Sequence, residues 1–346
     1  MSEGLAGTPG AVGGTPWIGR PLKVTLCLTA RCPLDCRACY ADCGARPAAD
    51  ELDTATWLRL LDTLAADGVI NVFVEGGEPL ARGDAETILA HAAARMFTTL
   101  RTHAVTIDDA TAARLKGCGI GRVYVDLMGA AAATHDAMVG TPGSLAAALA
   151  GIAALRRHAV PVSVLVILCR PNAGELPELA RLAAGAGADE LGVLRLYPLG
   201  RARRAWSALA LSLDEQMAAL GALAADPPAG LRLMQSWHPD DANCCWQNAA
   251  IDPWGHAIGC PYLRDYVDYG DLRTTPWLET WNHPLYRRLR AGAVDGHCPD
   301  CASSQLSSGG CRATAYAFHG RWDAPDPFCV TMNKGIDLRV LPDRPL

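Results

Sequence analysis

The chain lacks the features that mark membrane-spanning, secreted and nucleic-acid-binding proteins. No stretch reaches about 18 uninterrupted apolar residues, and the N-terminus, rich in Gly, Pro and Thr, has no apolar run that would form a signal peptide. The net charge is only −5 and is spread along the chain, so we expect neither a membrane nor nucleic acid as partner. Half of the 346 residues are hydrophobic, which indicates a globular protein.

Fourteen cysteines remain to be explained in a chain without a secretion signal. Cytoplasmic proteins are kept in a reducing environment, where cysteines serve as metal ligands, catalytic groups or core residues more often than as disulfides. We therefore expect a cytoplasmic protein whose thiols include metal ligands.

Apolar strands alternate with amphipathic helices six times between residues 22 and 225. Consecutive units of this kind form a parallel sheet with right-handed crossovers. Six units fall short of the eight of a closed barrel, so the expected fold is α/β, a partial (β/α)6 TIM-like barrel. From about Cys244 the composition shifts to Cys, Gly, Pro and aromatic residues. We divide the chain into a flexible tail (1–20), the barrel (21–225), a linker (226–243) and a Cys-rich domain (244–346).

Three cysteines with the spacing C-x3-C-x2-C, Cys32, Cys36 and Cys39, directly follow the first strand. In a parallel α/β fold this loop lies at the C-terminal edge of the sheet, where active sites are built. Three thiolates can hold three irons of a cubane iron–sulfur cluster and leave the fourth iron open, whereas a ferredoxin supplies a fourth cysteine. A four-cysteine zinc site that combines Cys36 and Cys39 with Cys298 and Cys301 is the alternative, and it leaves Cys32 without a role.

The second strand ends in EGGEP, residues 75–79. Gly76 and Gly77 expose backbone groups at the same sheet edge, and Glu78 offers a carboxylate to an ammonium group. The two motifs together resemble the radical SAM enzymes, over residues 22–201.

The resemblance implies a [4Fe–4S] cluster whose open iron chelates the amino and carboxylate groups of S-adenosylmethionine. The residues expected beside the methionyl ammonium are Gly76, Gly77, Glu78 and Pro79. One electron, from a donor such as flavodoxin or ferredoxin, cleaves the sulfonium to a 5′-deoxyadenosyl radical that abstracts a substrate hydrogen.

Three further residues are candidates for cofactor binding by the same resemblance. Tyr40, next to Cys39, packs on adenine or is a core tyrosine. Asp126, at the end of the fourth strand, is placed to bind the ribose hydroxyls. Arg195, at the end of the sixth strand, meets a carboxylate of cofactor or substrate, or forms a structural ion pair.

The last hundred residues resemble a SPASM domain, the auxiliary-cluster module of radical SAM maturases. The resemblance implies one or two auxiliary iron–sulfur clusters, with one zinc ion as the alternative. Ser307 replaces one cysteine of the family pattern. The ligands expected for the first cluster are Cys245, Cys260 and Cys311, with Cys244 available as a fourth, and those expected for the second are Cys298, Cys301 and Cys329.

Three functions fit these motifs. The first is maturation of a ribosomally made peptide by oxidative decarboxylation, dehydrogenation or cross-linking. The second is decarboxylation, dehydrogenation or epimerisation of a small metabolite such as a tetrapyrrole, nucleoside or sugar. A multi-cluster electron carrier is the third, and the EGGEP loop argues against it. Only 31 residues precede Cys32, so we expect a separate leader-peptide-binding protein if the substrate is a peptide.

Overall fold

The computed structural model describes residues 19–45, 49–235, 248–291, 294–295, 310–330 and 332–343. Eight parallel strands form one sheet in the order β7-β6-β5-β4-β3-β2-β1-β8, which confirms the α/β class and the partial barrel. The strands are β1 Lys23–Cys27, β2 Asn71–Glu75, β3 Phe97–Thr102, β4 Arg122–Asp126, β5 Val162–Ile167, β6 Glu190–Leu194, β7 Arg232–Gln235 and β8 Asn248–Ile251.

Helices follow the strands and cover the outer face of the sheet. They are α1 Thr54–Ala66, α2 Ala85–Ala93, α3 Asp109–Gly117, α4 Ala132–Val139, α5 Ser144–Arg157, α6 Leu176–Gly185, α7 Gly200–Arg204, α8 Trp206–Leu209, α9 Leu213–Ala225, α10 Trp277–Trp281, α11 Pro284–Ala291 and α12 Arg312–His319. No single described helix is long and apolar enough to cross a membrane. Taken together, α4 and α5 have the length and apolar composition of a membrane span, but they meet at an angle of 98°.

The sheet has two strands more than the six expected from the sequence. β7 lies within the interval 226–243 that the sequence reading assigns to a linker, and it pairs with β6. β8 follows residue 243 and pairs with β1 on the opposite side, with Lys23 opposite Asn248. Both strands have only four residues, too few for a periodic signal to stand out. The first described residues beyond residue 243, Asn248–Ile251, therefore belong to the barrel sheet.

Most buried apolar side chains of the sheet and the surrounding helices form one large core, and two smaller clusters are separate from it. In α1, Trp57, Leu61 and Leu64 are fully buried against the strands. Asp53 begins this helix, and its carboxylate accepts a hydrogen bond from the Thr56 backbone N–H at 2.7 Å. The ten described cysteines are all free thiols, so none of them adds a covalent cross-link.

Leu61→Ala tests this core. Leu61 is 0 % exposed, so the change removes buried methyl groups and leaves a cavity, and we expect a loss of about 2–5 kcal/mol in the free energy of unfolding. Met217→Ala in α9 is the control, because Met217 is 40 % exposed and its loss should cost less than about 1 kcal/mol. Urea unfolding of both variants measures the difference, and equal losses in the free energy of unfolding would contradict the burial of Leu61 in this core.

Candidate active site

The loop that carries Cys32, Cys36 and Cys39, residues 28–44 (the cysteine loop), is held at its base and at its tip. At the base, the Cys32 backbone N–H donates to the Gly44 carbonyl at 2.9 Å, and the Gly44 N–H donates to the Ala30 carbonyl at 3.2 Å. At the tip, Asp35 and Arg37 donate to the last carbonyls of α4, at 3.1 and 2.8 Å. Those carbonyls have no partner within their own helix, so the loop satisfies them.

Cys32, Cys36 and Cys39 line one open cavity. The cavity lies at the C-terminal ends of the first five strands, where a parallel sheet places its active site. Residues from each of those strand ends complete the wall: Tyr40, Glu75, Gly76, Gly77, Arg101, Thr102, His103, Asp126, Met128 and Ile167. The structure thus brings together most of the cofactor-binding residues expected from the sequence.

The glycine loop, residues 76–79, packs directly on the backbone of the cysteine loop. The Gly77 N–H donates to the Thr29 carbonyl at 2.6 Å, and the Glu78 N–H donates to the Arg31 carbonyl at 2.7 Å. A Cβ at Gly77 would lie 2.0 Å from the Arg31 carbonyl oxygen, so only glycine permits this approach. The Gly77 amide, which the sequence suggests is exposed, instead joins the two loops together with the Glu78 amide.

Glu78 is 1 % exposed and is not among the residues that line the cavity. Its carboxylate accepts hydrogen bonds from the Thr102 hydroxyl at 2.8 Å, the His103 backbone N–H at 3.1 Å and the Leu80 backbone N–H at 3.1 Å. The side chain therefore braces the glycine loop against β3, and Pro79 starts the short 3-10 turn Pro79–Ala81 behind it. Ammonium binding by Glu78 stays a prediction.

A chain of polar contacts crosses the cavity wall from Tyr40 to Asp126. The Tyr40 hydroxyl donates to Glu75 Oε1 at 2.6 Å, and Arg101 Nη1 donates to Glu75 Oε2 at 3.2 Å. Arg101 also holds Asp126 through Nε and Nη2, each at 2.9 Å. Burial, then the Glu75 charge, raises the pKa of Tyr40 well above its usual value. Burial alone would lower the pKa of Arg101, but Asp126 and Glu75 outweigh it.

Arg101 is the central residue of this chain, and the sequence reading did not select it. It is the one charged residue of β3, FTTLRT, and a charged residue within a mostly buried strand signals a buried ion pair. Tyr40 is 8 % exposed, and its hydroxyl donates to Glu75. It also lines the cavity, so Tyr40 is both a core residue and a cavity residue. Adenine contact by Tyr40 and ribose contact by Asp126 stay predictions.

The residues present fit an iron–sulfur cluster and S-adenosylmethionine. Burial raises the pKa of the Cys32 thiol to about 12 and also raises that of Cys36, whereas a hydrogen bond from the Cys43 thiol lowers that of Cys39. Buried thiolates need a positive partner, which iron supplies. His103 lines the cavity wall, and its buried Nε2 lies 3.1 Å from Glu78 Oε2.

Arg195 forms the structural ion pair, the second of the two roles considered for it. It is 4 % exposed and is not among the cavity-lining residues, and its Nη1 lies 2.7 Å from Asp326 Oδ2. Asp326 also accepts hydrogen bonds from the Thr314 hydroxyl at 2.7 Å and the Cys311 backbone N–H at 2.8 Å. The pair joins the end of β6 to the segment that carries Cys311.

Three of the expected auxiliary-cluster ligands lie in the described part of the chain. Cys260 precedes the 3-10 turn Pro261–Leu263, Cys311 precedes α12, and the Cys329 N–H donates to the Asp326 carbonyl at 3.0 Å. Cys260 and Cys329 are each 5 % exposed, and burial raises the pKa of Cys311. The remaining positions, Cys244, Cys245, Cys298, Cys301 and Ser307, lie outside the described residues, so the ligand sets of both auxiliary clusters stay predictions.

A cysteine-lined cavity at the C-terminal edge of a parallel partial barrel defines the class, a cofactor-dependent α/β enzyme. The model of the Radical SAM superfamily matches residues 26–183, and that of an iron–sulfur cluster-binding domain, SPASM, matches residues 244–302. The PqqA peptide cyclase of Rhodopseudomonas palustris is 31 % identical over 329 residues, which cover 90 % of this chain and 87 % of that protein. The PqqA peptide cyclase of Xanthomonas campestris pv. campestris is 28 % identical over 340 residues, 94 % of this chain and 90 % of that protein.

Solved structures share the fold at lower identity. Streptococcus suis SuiB bound to S-adenosylmethionine has a TM-score of 0.71 at 15 % identity and covers 90 % of this chain and 78 % of its own. Native anSMEcpe with bound AdoMet has a TM-score of 0.68 at 14 % identity, and the match covers 91 % of this chain and 95 % of that chain. The chain belongs to the radical SAM superfamily and is an enzyme that uses a [4Fe–4S] cluster with S-adenosylmethionine, together with auxiliary iron–sulfur clusters.

Gly77→Ala should prevent assembly of the cluster that Cys32, Cys36 and Cys39 hold and that binds S-adenosylmethionine. The added methyl group would clash with the Arg31 carbonyl and force the glycine loop off the cysteine loop. We expect the iron content of anaerobically reconstituted protein to fall to that of a Cys32/Cys36/Cys39→Ala triple variant. Gly83→Ala is the matched control, because a Cβ at Gly83 meets nothing within 4 Å. Full iron loading of Gly77→Ala would show that the close approach is not needed.

Asp326→Asn should destabilise the protein, because it leaves the Arg195 guanidinium buried without its counter-charge. We expect a loss of about 3–5 kcal/mol in the free energy of unfolding. Asp323→Asn, three residues away, removes only exposed ion pairs with Arg288 and Arg321 and should cost about 0–1 kcal/mol. Unfolding in urea compares the two variants with the wild type.

The cost of Asp326→Asn should depend on pH. Burial alone would raise the pKa of Asp326, but Arg195 and the hydrogen bonds outweigh burial and lower it. A carboxylate with a lowered pKa in the folded state stabilises fully above its unfolded pKa of about 3.9 and loses this effect as the pH falls further. The deficit of the variant should therefore be largest above about pH 4 and shrink below it, and a deficit independent of pH would contradict the ion pair.

Proposed function

We propose that this enzyme matures a ribosomally made peptide. The observation that carries the proposal is the similarity to PqqA peptide cyclases along nearly the whole chain, including both the barrel and the C-terminal cysteines. A solved structure of the same fold is SuiB bound to the precursor peptide SuiA. Among the reactions considered, cross-linking within the peptide is favoured, because the relatives are named cyclases.

In this proposal Cys32, Cys36 and Cys39 hold the cluster, and the glycine loop and Asp126 bind S-adenosylmethionine. When bound, the pair supplies a one-electron cleavage that yields a 5′-deoxyadenosyl radical for hydrogen abstraction. The protein's part is to orient the cofactor in the cavity and to keep water away. Val139 and Ile167 contribute apolar walls, and hydrogen bonds from Arg101 hold the Asp126 carboxylate in place at the cavity wall.

Electron supply by flavodoxin or ferredoxin, and substrate delivery by a separate leader-peptide-binding protein, belong to the same proposal. So does a cytoplasmic location, which suits ten free thiols and clusters that oxygen would damage. Modification of a small metabolite is the competing function. The substrate itself distinguishes the two.

The test starts with 5′-deoxyadenosine release from S-adenosylmethionine by anaerobically reconstituted, dithionite-reduced protein. The Cys32/Cys36/Cys39→Ala variant should release none. The protein is then incubated with any short peptide encoded beside its gene. A peptide that loses two hydrogen atoms per cross-link, without fragmentation, supports the proposal. If S-adenosylmethionine were cleaved without any change to such peptides, and a sugar or nucleoside were modified instead, the metabolite function would replace the peptide function.

A further inference from the structure

The segment that follows β6 packs against the cysteine loop at positions other than those that the glycine loop contacts. A Cβ at Gly200 would lie 2.7 Å from the Tyr40 carbonyl oxygen and 2.8 Å from that of Cys39, so α7 begins in direct contact with the loop. The Ala202 backbone N–H donates to the Cys39 carbonyl at 3.3 Å. Arg201 Nε donates to the Cys36 carbonyl at 2.9 Å. The backbone carbonyls of two cluster cysteines are therefore both held by α7.

Arg201 also brings a positive charge to the loop. Its Nε lies 3.3 Å from Asp35 Oδ1, and its Nη1 lies 3.2 Å from Asp42 Oδ1. The Arg201 side chain is only 17 % exposed, whereas that of Arg204, which pairs with the same Asp42, is 63 % exposed. Charges that are partly buried are screened less by water and salt than exposed ones. Arg201 is therefore the stronger electrostatic influence on the loop.

We propose that Arg201 is a positioning residue that fixes the backbone of the cluster ligand Cys36 and raises the reduction potential of the cluster. Reduction adds one negative charge to the cluster, and a nearby, poorly screened cation stabilises that charge. Without Arg201, the carboxylates of Asp35 and Asp42 lose this cation, and Arg204, which also pairs with Asp42, is exposed and more strongly screened. The inference depends on a cluster at Cys32, Cys36 and Cys39 and is independent of the substrate.

The shape of the guanidinium matters as well as its charge. Arg201 reaches a carbonyl and two carboxylates from one planar group, which the single ammonium of lysine does not reproduce. Arg201→Lys therefore keeps the charge and loses part of the geometry, whereas Arg201→Gln loses the charge. The two substitutions separate the electrostatic effect from the positional effect.

The measurement is the midpoint potential of the cluster in holoenzyme, from a redox titration followed by electron paramagnetic resonance. Spectra with and without S-adenosylmethionine isolate the cluster that binds it from the auxiliary clusters. We expect a clear shift to more negative potential for Arg201→Gln, a smaller one for Arg201→Lys and little change for the control Arg204→Gln. Iron content relative to the Cys32/Cys36/Cys39→Ala variant shows whether each variant carries this cluster.

An unchanged potential in fully loaded Arg201→Gln would overturn the proposal. Equal shifts in Arg201→Gln and Arg204→Gln would also overturn it, since any surface charge would then have the same effect. Loss of the cluster from Arg201→Gln but not from Arg201→Lys supports it, because the charge is then needed to keep the cluster. Equal loss from both, at an unchanged melting temperature, would contradict the electrostatic role.

Discussion

The active site depends on backbone contact between two loops at the end of adjacent strands. Two amides of the glycine loop donate to carbonyls at Thr29 and Arg31, and the approach is so close that Gly77 has no room for a side chain. This contact places the three cysteines of one loop and the polar wall of the other around one cavity. Because backbone groups make it, its geometry is set by the sheet and does not vary with side-chain rotamers.

The rest of the chain supports the cysteine loop from several directions. The end of α4 holds its tip, α7 holds its cysteine carbonyls, and the ion pair of Arg195 with Asp326 ties β6 to the segment of Cys311. These supports come from parts of the chain far apart in sequence. The barrel and the Cys-rich segment are therefore connected through β8 and through this ion pair. The sheet has strands on both sides of the sequence boundary at residue 243.

Much of the fold and part of the site could be predicted from the sequence. Six strand–helix units were recognisable because apolar periodicity is strong in segments of this length. The strand β7 was missed because four residues carry too little periodicity, and the pairing of β8 with β1 was not predicted because the two strands lie far apart in the sequence. Arg101 was missed and Arg195 was given two alternatives, since the partner of a buried charge is decided by tertiary contact alone.

The sequence by itself determined the chemistry: the spacing of Cys32, Cys36 and Cys39 and the EGGEP motif specify a three-thiolate loop beside a glycine loop. Local motifs can do this because the ligands of one cluster lie on one short segment. Only the tertiary structure decided that the Glu78 carboxylate braces β3 and that Arg201 reaches the cysteine loop from 165 positions away. Such roles depend on which side chains meet across the fold, and one sequence does not encode that in its spacing.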